Sequence, residues 1–248
     1  IALVRMYLHT GKQKYLDMAK FFIDTRGSAE TSEKNDPQIQ SHKPVREQTE
    51  AVGHSVRAMY LYTGMALLAA QTGDESLVKA CKTLWDDVTL RKMYVTGGIG
   101  STYIGEAFTK PYDLPNDGAY TETCAGIGLM FFAQRMMALD PENAAKYADA
   151  IELEMYNGML SGISLDGDKF FYENPLEIFL EERGRLKSLG KSERWPITQR
   201  PKVFGCSCCP PNLNRLLPRL CEYVYGIEGD MLYINQFAGS ILESGDIR

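Results

Sequence analysis

Apolar residues recur at three- and four-residue steps along three pairs of segments, the pattern of helices with a buried stripe. The first pair covers Ala2 to His9 and Tyr15 to Asp24, joined through Thr10-Gly11-Lys12. The second covers Ala58 to Gln71 and Ser76 to Trp85, joined through Thr72-Gly73-Asp74. The third covers Gly126 to Met137 and Lys146 to Tyr156, joined through Asp140-Pro141-Glu142. Each pair reads helix, short turn, helix, with turns at positions 10, 72 and 140. The first helices are apolar nearly all round, as helices enclosed on two sides would be, and the second carry a wetter face. A helical hairpin repeating at this interval predicts a closed α/α barrel, with an open helical array as the alternative.

Long stretches rich in Gly, Pro and Asp separate the hairpins, at 25–48, 95–121 and 158–212. Loops of this length inside a compact domain usually carry function. In the third, the run from Asp166 to Asn174 predicts a β-hairpin, and residues 228–243 alternate like strands. The expected organisation is an α/α-barrel domain over 1–225 and the beginning of a β domain over 226–248. The chain opens at Ile1 already in helical phase, so further N-terminal helices are expected to precede it.

Charge and composition remove several function classes. The net charge is −5 and no Lys/Arg block appears, so there is no electrostatic footprint for nucleic acid. Nothing approaches about eighteen uninterrupted apolar residues, so no membrane partner is expected. The six cysteines, at 81, 124, 206, 208, 209 and 221, are too sparse for a disulfide scaffold. Cys81 and Cys221 read as small apolar residues on helices. Cys206 has no assignable role.

The densest chemistry lies in Cys206-Ser207-Cys208-Cys209-Pro210-Pro211-Asn212. The two prolines fix φ and predict a constrained turn in place of a helix or central strand. Thiolates are strong nucleophiles and metal ligands. Glu122 and Cys124, in Tyr120-Thr121-Glu122-Thr123-Cys124-Ala125, are two residues apart, and an extended backbone would set both on one face. Glu122, Cys124, Cys208 and Cys209 would fill a four-ligand site, and soft sulfur donors favour zinc (Zn2+) over magnesium or calcium. Spacing alone leaves a buried free-thiol cluster and a disulfide open beside the metal site.

Carboxylates at a barrel mouth suit glycoside hydrolysis. Glu106, in Gly105-Glu106-Ala107-Phe108, is a candidate general acid with a raised pKa, or else a solvated loop carboxylate. His42 and His54 flank a loop–helix junction and suit hydrogen bonds to sugar hydroxyls. His9 reads as plain surface. Tyr172 is either a sugar-facing aromatic or part of the core of its hairpin.

Six ordered segments carry a resemblance: His42-Lys43-Pro44-Val45-Arg46-Glu47, Ala51 to Tyr60, Gly97-Gly98-Ile99-Gly100-Ser101, Gly105 to Phe108, Tyr120 to Ala125 and Cys206 to Asn212. Together they make the chain similar to the bacterial β-L-arabinofuranosidases of glycoside hydrolase family 127. The resemblance implies part of an (α/α)6 barrel followed by a β-sandwich. It also implies a retaining glycosidase that releases L-arabinofuranose, or a related rare sugar, from β-linked plant-type glycans. Cys208 would be the nucleophile and Glu106 the acid/base. Zinc would be held by Glu122, Cys124, Cys208 and Cys209, while His54, His42 and Tyr172 would bind the sugar. Two other readings stand beside this one. One is a non-catalytic helical carbohydrate-binding or scaffold module with a structural zinc site. The other is a different α/α-barrel sugar enzyme, an epimerase or an unsaturated glucuronyl hydrolase. Three thiolate ligands favour a reducing compartment, so a cytoplasmic location is expected, and a homodimer is the expected assembly.

Overall fold

Three antiparallel helical hairpins form where the apolar periodicity places them. The computed structural model describes residues 1–28, 36–180, 198–202 and 205–243. Parts of the first and third long loops and the tail from 244 therefore lie outside the described residues. The hairpins are α1 (Ala2–Thr10) with α2 (Gln13–Thr25), α3 (Ser55–Thr72) with α4 (Glu75–Arg91), and α5 (Thr123–Leu139) with α6 (Ala144–Leu153). Beyond α6 the chain widens into a π-helical turn over Glu154–Met159. Two short helices follow, α7 (Cys209–Leu216) and α8 (Cys221–Val224). The architecture is mainly α, and the hairpins form part of an α/α barrel. Among the described residues no helix is long and apolar enough to cross a membrane.

The turns use the chemistry their residues offer. Gly73 closes α3 in the left-handed region at φ 64°, where a side chain would be strained. Asp74 then caps α4, its carboxylate accepting from the amides of Ser76 at 3.0 Å and Leu77 at 3.2 Å. Arg46 holds the same carboxylate at 2.7 Å, tying the first long loop to this turn.

Helices α3 and α5 lie side by side and are buried on most faces, as their all-round apolar sequence requires. Their shared core continues outward through Trp85, whose ring meets Tyr147 at 4.7 Å and Phe132 at 5.6 Å. Cys81 is fully buried there, as expected of a small apolar residue.

Several expectations need correction. Helix α1 is not enclosed as expected: it packs mainly on α2, and Met6 and Leu8 remain exposed. Cys221 lies on a helix but is exposed, because α8 is a single turn whose buried residue is Tyr223. The run from Asp166 to Asn174 is a turn with one isolated bridge, Ile163 to Phe170, and not a paired hairpin. The carbonyls of Phe171 and Tyr172 instead hold Thr123 at the start of α5. The strand-like tail does pair, but early: β3 (Tyr225–Glu228) and β4 (Met231–Ile234) form an antiparallel hairpin, and residues 235–243 carry no strand. The other strands are the two-residue pair β1 (Gly53–His54) and β2 (Ala107–Phe108).

Candidate active site

Three helix N-termini converge on one place. His54 is the N-cap of α3, Glu122 of α5 and Cys208 of α7. Unpaired amides and the aligned peptide dipoles make each such end electropositive, which favours anionic side chains. The expected proline-held turn is in fact the first turn of α7. Pro210 and Pro211 occupy its opening positions, where an amide N–H would be unpaired anyway, so the ring constraint starts the helix.

Side chains from these ends form a closed cluster. Cys124 Sγ lies 3.4 Å from Cys208 Sγ and 3.3 Å from Cys209 Sγ, and the two adjacent thiols are 3.9 Å apart. Glu122 Oε1 is 3.3 Å from Cys208 Sγ and 3.9 Å from Cys209 Sγ. Glu122, Cys124 and Cys209 are buried and Cys208 is half-buried. All six cysteines are free, so the disulfide reading falls. The predicted strand face for Glu122 and Cys124 is replaced by a helix start, with Glu122 extended at the cap and Cys124 in the first turn.

Backbone strain marks the approach to this cluster. Thr121 sits at φ 38° and Glu106 at φ 54°, both unfavourable for residues with a Cβ. Thr121 is held by Asn174 Nδ2, which donates to its carbonyl at 2.8 Å, and by its own amide, which donates to Gly100 O at 2.8 Å. The amide of Thr123 donates to Tyr172 O at 3.0 Å and its hydroxyl to Phe171 O at 2.7 Å. Thus the third loop clamps the end of α5 that carries Glu122 and Cys124.

Pairing of β1 with β2 sets His54 opposite Ala107 and brings Glu106 within reach. His54 Nε2 lies 3.1 Å from Glu106 Oε2, and Ser55 Oγ donates to Glu106 O at 3.1 Å. His54, Glu106 and Glu122 each offer a ligand atom within 4.8 Å of the others. His42 joins neither this group nor the thiol cluster.

The electrostatics divide the carboxylates. The His54 bond holds the Glu106 carboxyl below its ordinary value, while the Cys208 charge pushes the other way. The expectation of a raised Glu106 is therefore not met. Burial, helped by Cys208 and Glu106, pushes Glu122 up to about 9 instead. Hydrogen bonds from the thiols of Cys124 and Cys209 hold Cys208 far below its ordinary value, and each of those two is raised in turn. Of the three thiols, Cys208 is the one these hydrogen bonds favour in its thiolate form.

Tyr172 is buried beside the cluster and its hydroxyl is hydrogen-bonded to Cys208 Sγ at 3.1 Å. Sequence reasoning missed Tyr120, whose ring meets Tyr172 edge-on at 6.2 Å and whose hydroxyl bonds Glu106. It also missed Asn212, which reaches Cys124 and accepts from Tyr60 OH at 2.6 Å. Both stood inside motifs already singled out, but nothing in the sequence separated them from their neighbours.

Chemically, the cluster can hold a metal ion, with a thiolate and a second carboxylate at its edge. Residues 1–222 match the family model described as the β-L-arabinofuranosidase, GH127 catalytic domain. The non-reducing end β-L-arabinofuranosidase of Bifidobacterium longum subsp. longum is 39% identical over 244 residues, covering 91% of this chain and 36% of that protein. A solved GH127 β-arabinofuranosidase is 48% identical at a TM-score of 0.84, covering 95% of this chain and 34% of that one. A GH127 β-L-arabinofuranosidase from Geobacillus stearothermophilus T6 is 45% identical at a TM-score of 0.85, covering 96% and 39%. The chain thus spans about a third of the length of the curated relative it matches.

Proposed function

This chain belongs to the GH127 β-L-arabinofuranosidase catalytic-domain family, and from that premise we propose that it carries the chemistry of a retaining glycoside hydrolase. Its substrate would be a β-linked L-arabinofuranoside, or a glycoside of a related rare sugar, in a plant-type glycan. The observation that supports this best is the placing of one thiolate, Cys208, and one half-exposed carboxylate, Glu106, on either side of Glu122.

The donor set fits zinc. With Zn–S near 2.3 Å, the edge of a tetrahedron between two sulfurs is about 3.8 Å, and between sulfur and oxygen about 3.5 Å. The cluster's separations run from 3.3 to 3.9 Å. Glu122, Cys124, Cys208 and Cys209 would be the ligands. Zinc, when bound, supplies positive charge that keeps its cysteine ligands deprotonated at neutral pH.

The chain's own residues would do the rest. Cys208 Sγ attacks the anomeric carbon while Glu106, which takes part in this step only in its acid form although His54 favours its carboxylate in the free site, gives its proton to the departing oxygen, so a C–S bond forms as the C–O bond breaks. Glu106 then takes a proton from water, whose oxygen attacks the same carbon. The C–S bond breaks and the thiolate returns. Two inversions retain the configuration. His54 orients Glu106 through the bond at 3.1 Å, and Tyr172 steadies the sulfur. His54, with His42 and Tyr172, would contact the sugar.

The test is turnover of an aryl β-L-arabinofuranoside followed by NMR of the first-formed sugar. The β-anomer should appear first, and Cys208→Ser should abolish release. An inverted first product, or an active Cys208→Ser, would remove the assignment.

A further inference from the structure

The second carboxylate oxygen of Glu122 is not used by the thiol cluster. Oε1 faces Cys208 and Cys209, whereas Oε2 is buried and accepts no hydrogen bond. Glu122 itself is 2% exposed. On the side away from the thiols stand Glu106, whose carboxyl is hydrogen-bonded to that of Glu122, and His54, and one ligand atom from each of the three lies within 4.8 Å of the others. A divalent ion between the two carboxyl groups would take the place of the proton they share. One imidazole nitrogen with two carboxylate oxygens is a donor set that borderline divalent ions accept, with open positions left for water. Tyr120 bonds the Glu106 carboxylate from outside, the kind of outer support that orients metal-ligating carboxylates.

We propose that His54, Glu106 and Glu122 form a second divalent-cation site, bridged to the thiolate centre by the Glu122 carboxylate. The inference rests on the proposed thiolate centre for its neighbour, but its own ligands include no sulfur. An ion there replaces the His54–Glu106 contact and occupies the lone pairs that Glu106 needs for proton transfer. The site is therefore inhibitory: metal in excess of one equivalent stops turnover by tying up the acid/base.

Cobalt(II) distinguishes the two centres, since thiolate ligation gives near-ultraviolet sulfur-to-metal charge transfer and nitrogen/oxygen ligation gives only weak visible bands. Titrating the chain with Co2+ should give the charge-transfer band in the first equivalent. A second equivalent should then add visible absorption without further charge transfer. His54→Ala and Glu106→Gln should each keep the first step, which also reports that they are folded, and lose the second. Activity of the zinc-loaded protein should fall roughly 10²-fold or more as Zn2+ fills the second site, the size of a general acid–base contribution. Saturation at one equivalent with no inhibition by excess metal overturns the proposal, as does an undiminished second step in His54→Ala. Visible bands without any charge transfer would instead sink the thiolate centre and leave the second site standing.

Discussion

Glu154 should make the protein less stable as the pH rises from about 5 to 8. Its side chain is fully buried at the π-helical turn, where the helix widens beside α5. Among the described residues no hydrogen-bond partner is found for Oε2. The space it occupies exists because Gly126 has no side chain: a Cβ there would lie 1.6 Å from Glu154 Oε1, and one at Gly158 2.2 Å away. Burial pushes the carboxyl from 4.5 up to about 8. The folded state thus holds a proton that the unfolded chain releases above about pH 4.5. Any stabilisation is complete below that pH and is lost as the pH climbs through 8. At about 1.4 kcal/mol per pH unit, the loss between pH 5 and 8 is at most about 4 kcal/mol. Asp24 and Asp74, held below the usual carboxylate range, act only at lower pH. His42, lowered by burial, works in the opposite sense within the same window, so the informative quantity is a difference between proteins. Urea denaturation of the wild type and Glu154→Gln at pH 5 and 8 measures it. The wild type should lose about 3–4 kcal/mol more than the variant across the interval. Parallel pH dependence would refute the argument.

Three other outcomes follow from the packing and the site. Lys92 and Asp87 form a buried pair at 3.0 Å that also bonds both backbone groups of Ala51; Lys92→Met leaves Asp87 with Arg91 at 3.1 Å but removes the partner of Ala51 O, and should cost about 1–3 kcal/mol in chemical denaturation. Asp74→Ala removes the α4 cap and the Arg46 contact together and should cost about 1–2 kcal/mol in the same assay. Glu106→Gln should lower turnover roughly 10²–10⁴-fold on alkyl glycosides and far less on aryl glycosides with activated leaving groups, read as kcat/KM against leaving-group acidity.

The hairpins were legible because apolar period and turn chemistry agreed: Thr72-Gly73-Asp74 ends one helix and caps the next on its own. Enclosure was less legible. Helix α1 is more one-sided in sequence than α3, and its exposed Met6 and Leu8 lie where no neighbouring element covers them among the described residues. Residue type and spacing pointed to side chains that the fold gathers, His42 apart, but not to how they are held. Two prolines read as a barrier to helix were its opening turn, because proline is excluded from helix interiors and not from their starts. The apparent hairpin at 166–174 pairs only at its start, where Phe171 N bonds Gly162 O and Ser164 N bonds Lys169 O, because beyond that the carbonyls of Phe171 and Tyr172 hold Thr123 at the start of α5. Glu106 was expected to be the raised carboxylate, since sequence does not reveal that His54 sits beside it. Glu154 looked like one more acidic residue on a helix face. Its burial shows only when Gly126 and Gly158 are seen to make room for it.

The central claim is that Cys208, and no carboxylate, bonds to the sugar. Quenching the protein in acid during turnover of an activated aryl β-L-arabinofuranoside, then mapping peptides by mass spectrometry, tests it directly. The account predicts a pentosyl adduct on the peptide at Cys208, missing from Cys208→Ser. An adduct on Glu106 or Glu122, or an active Cys208→Ser that forms none, would contradict it.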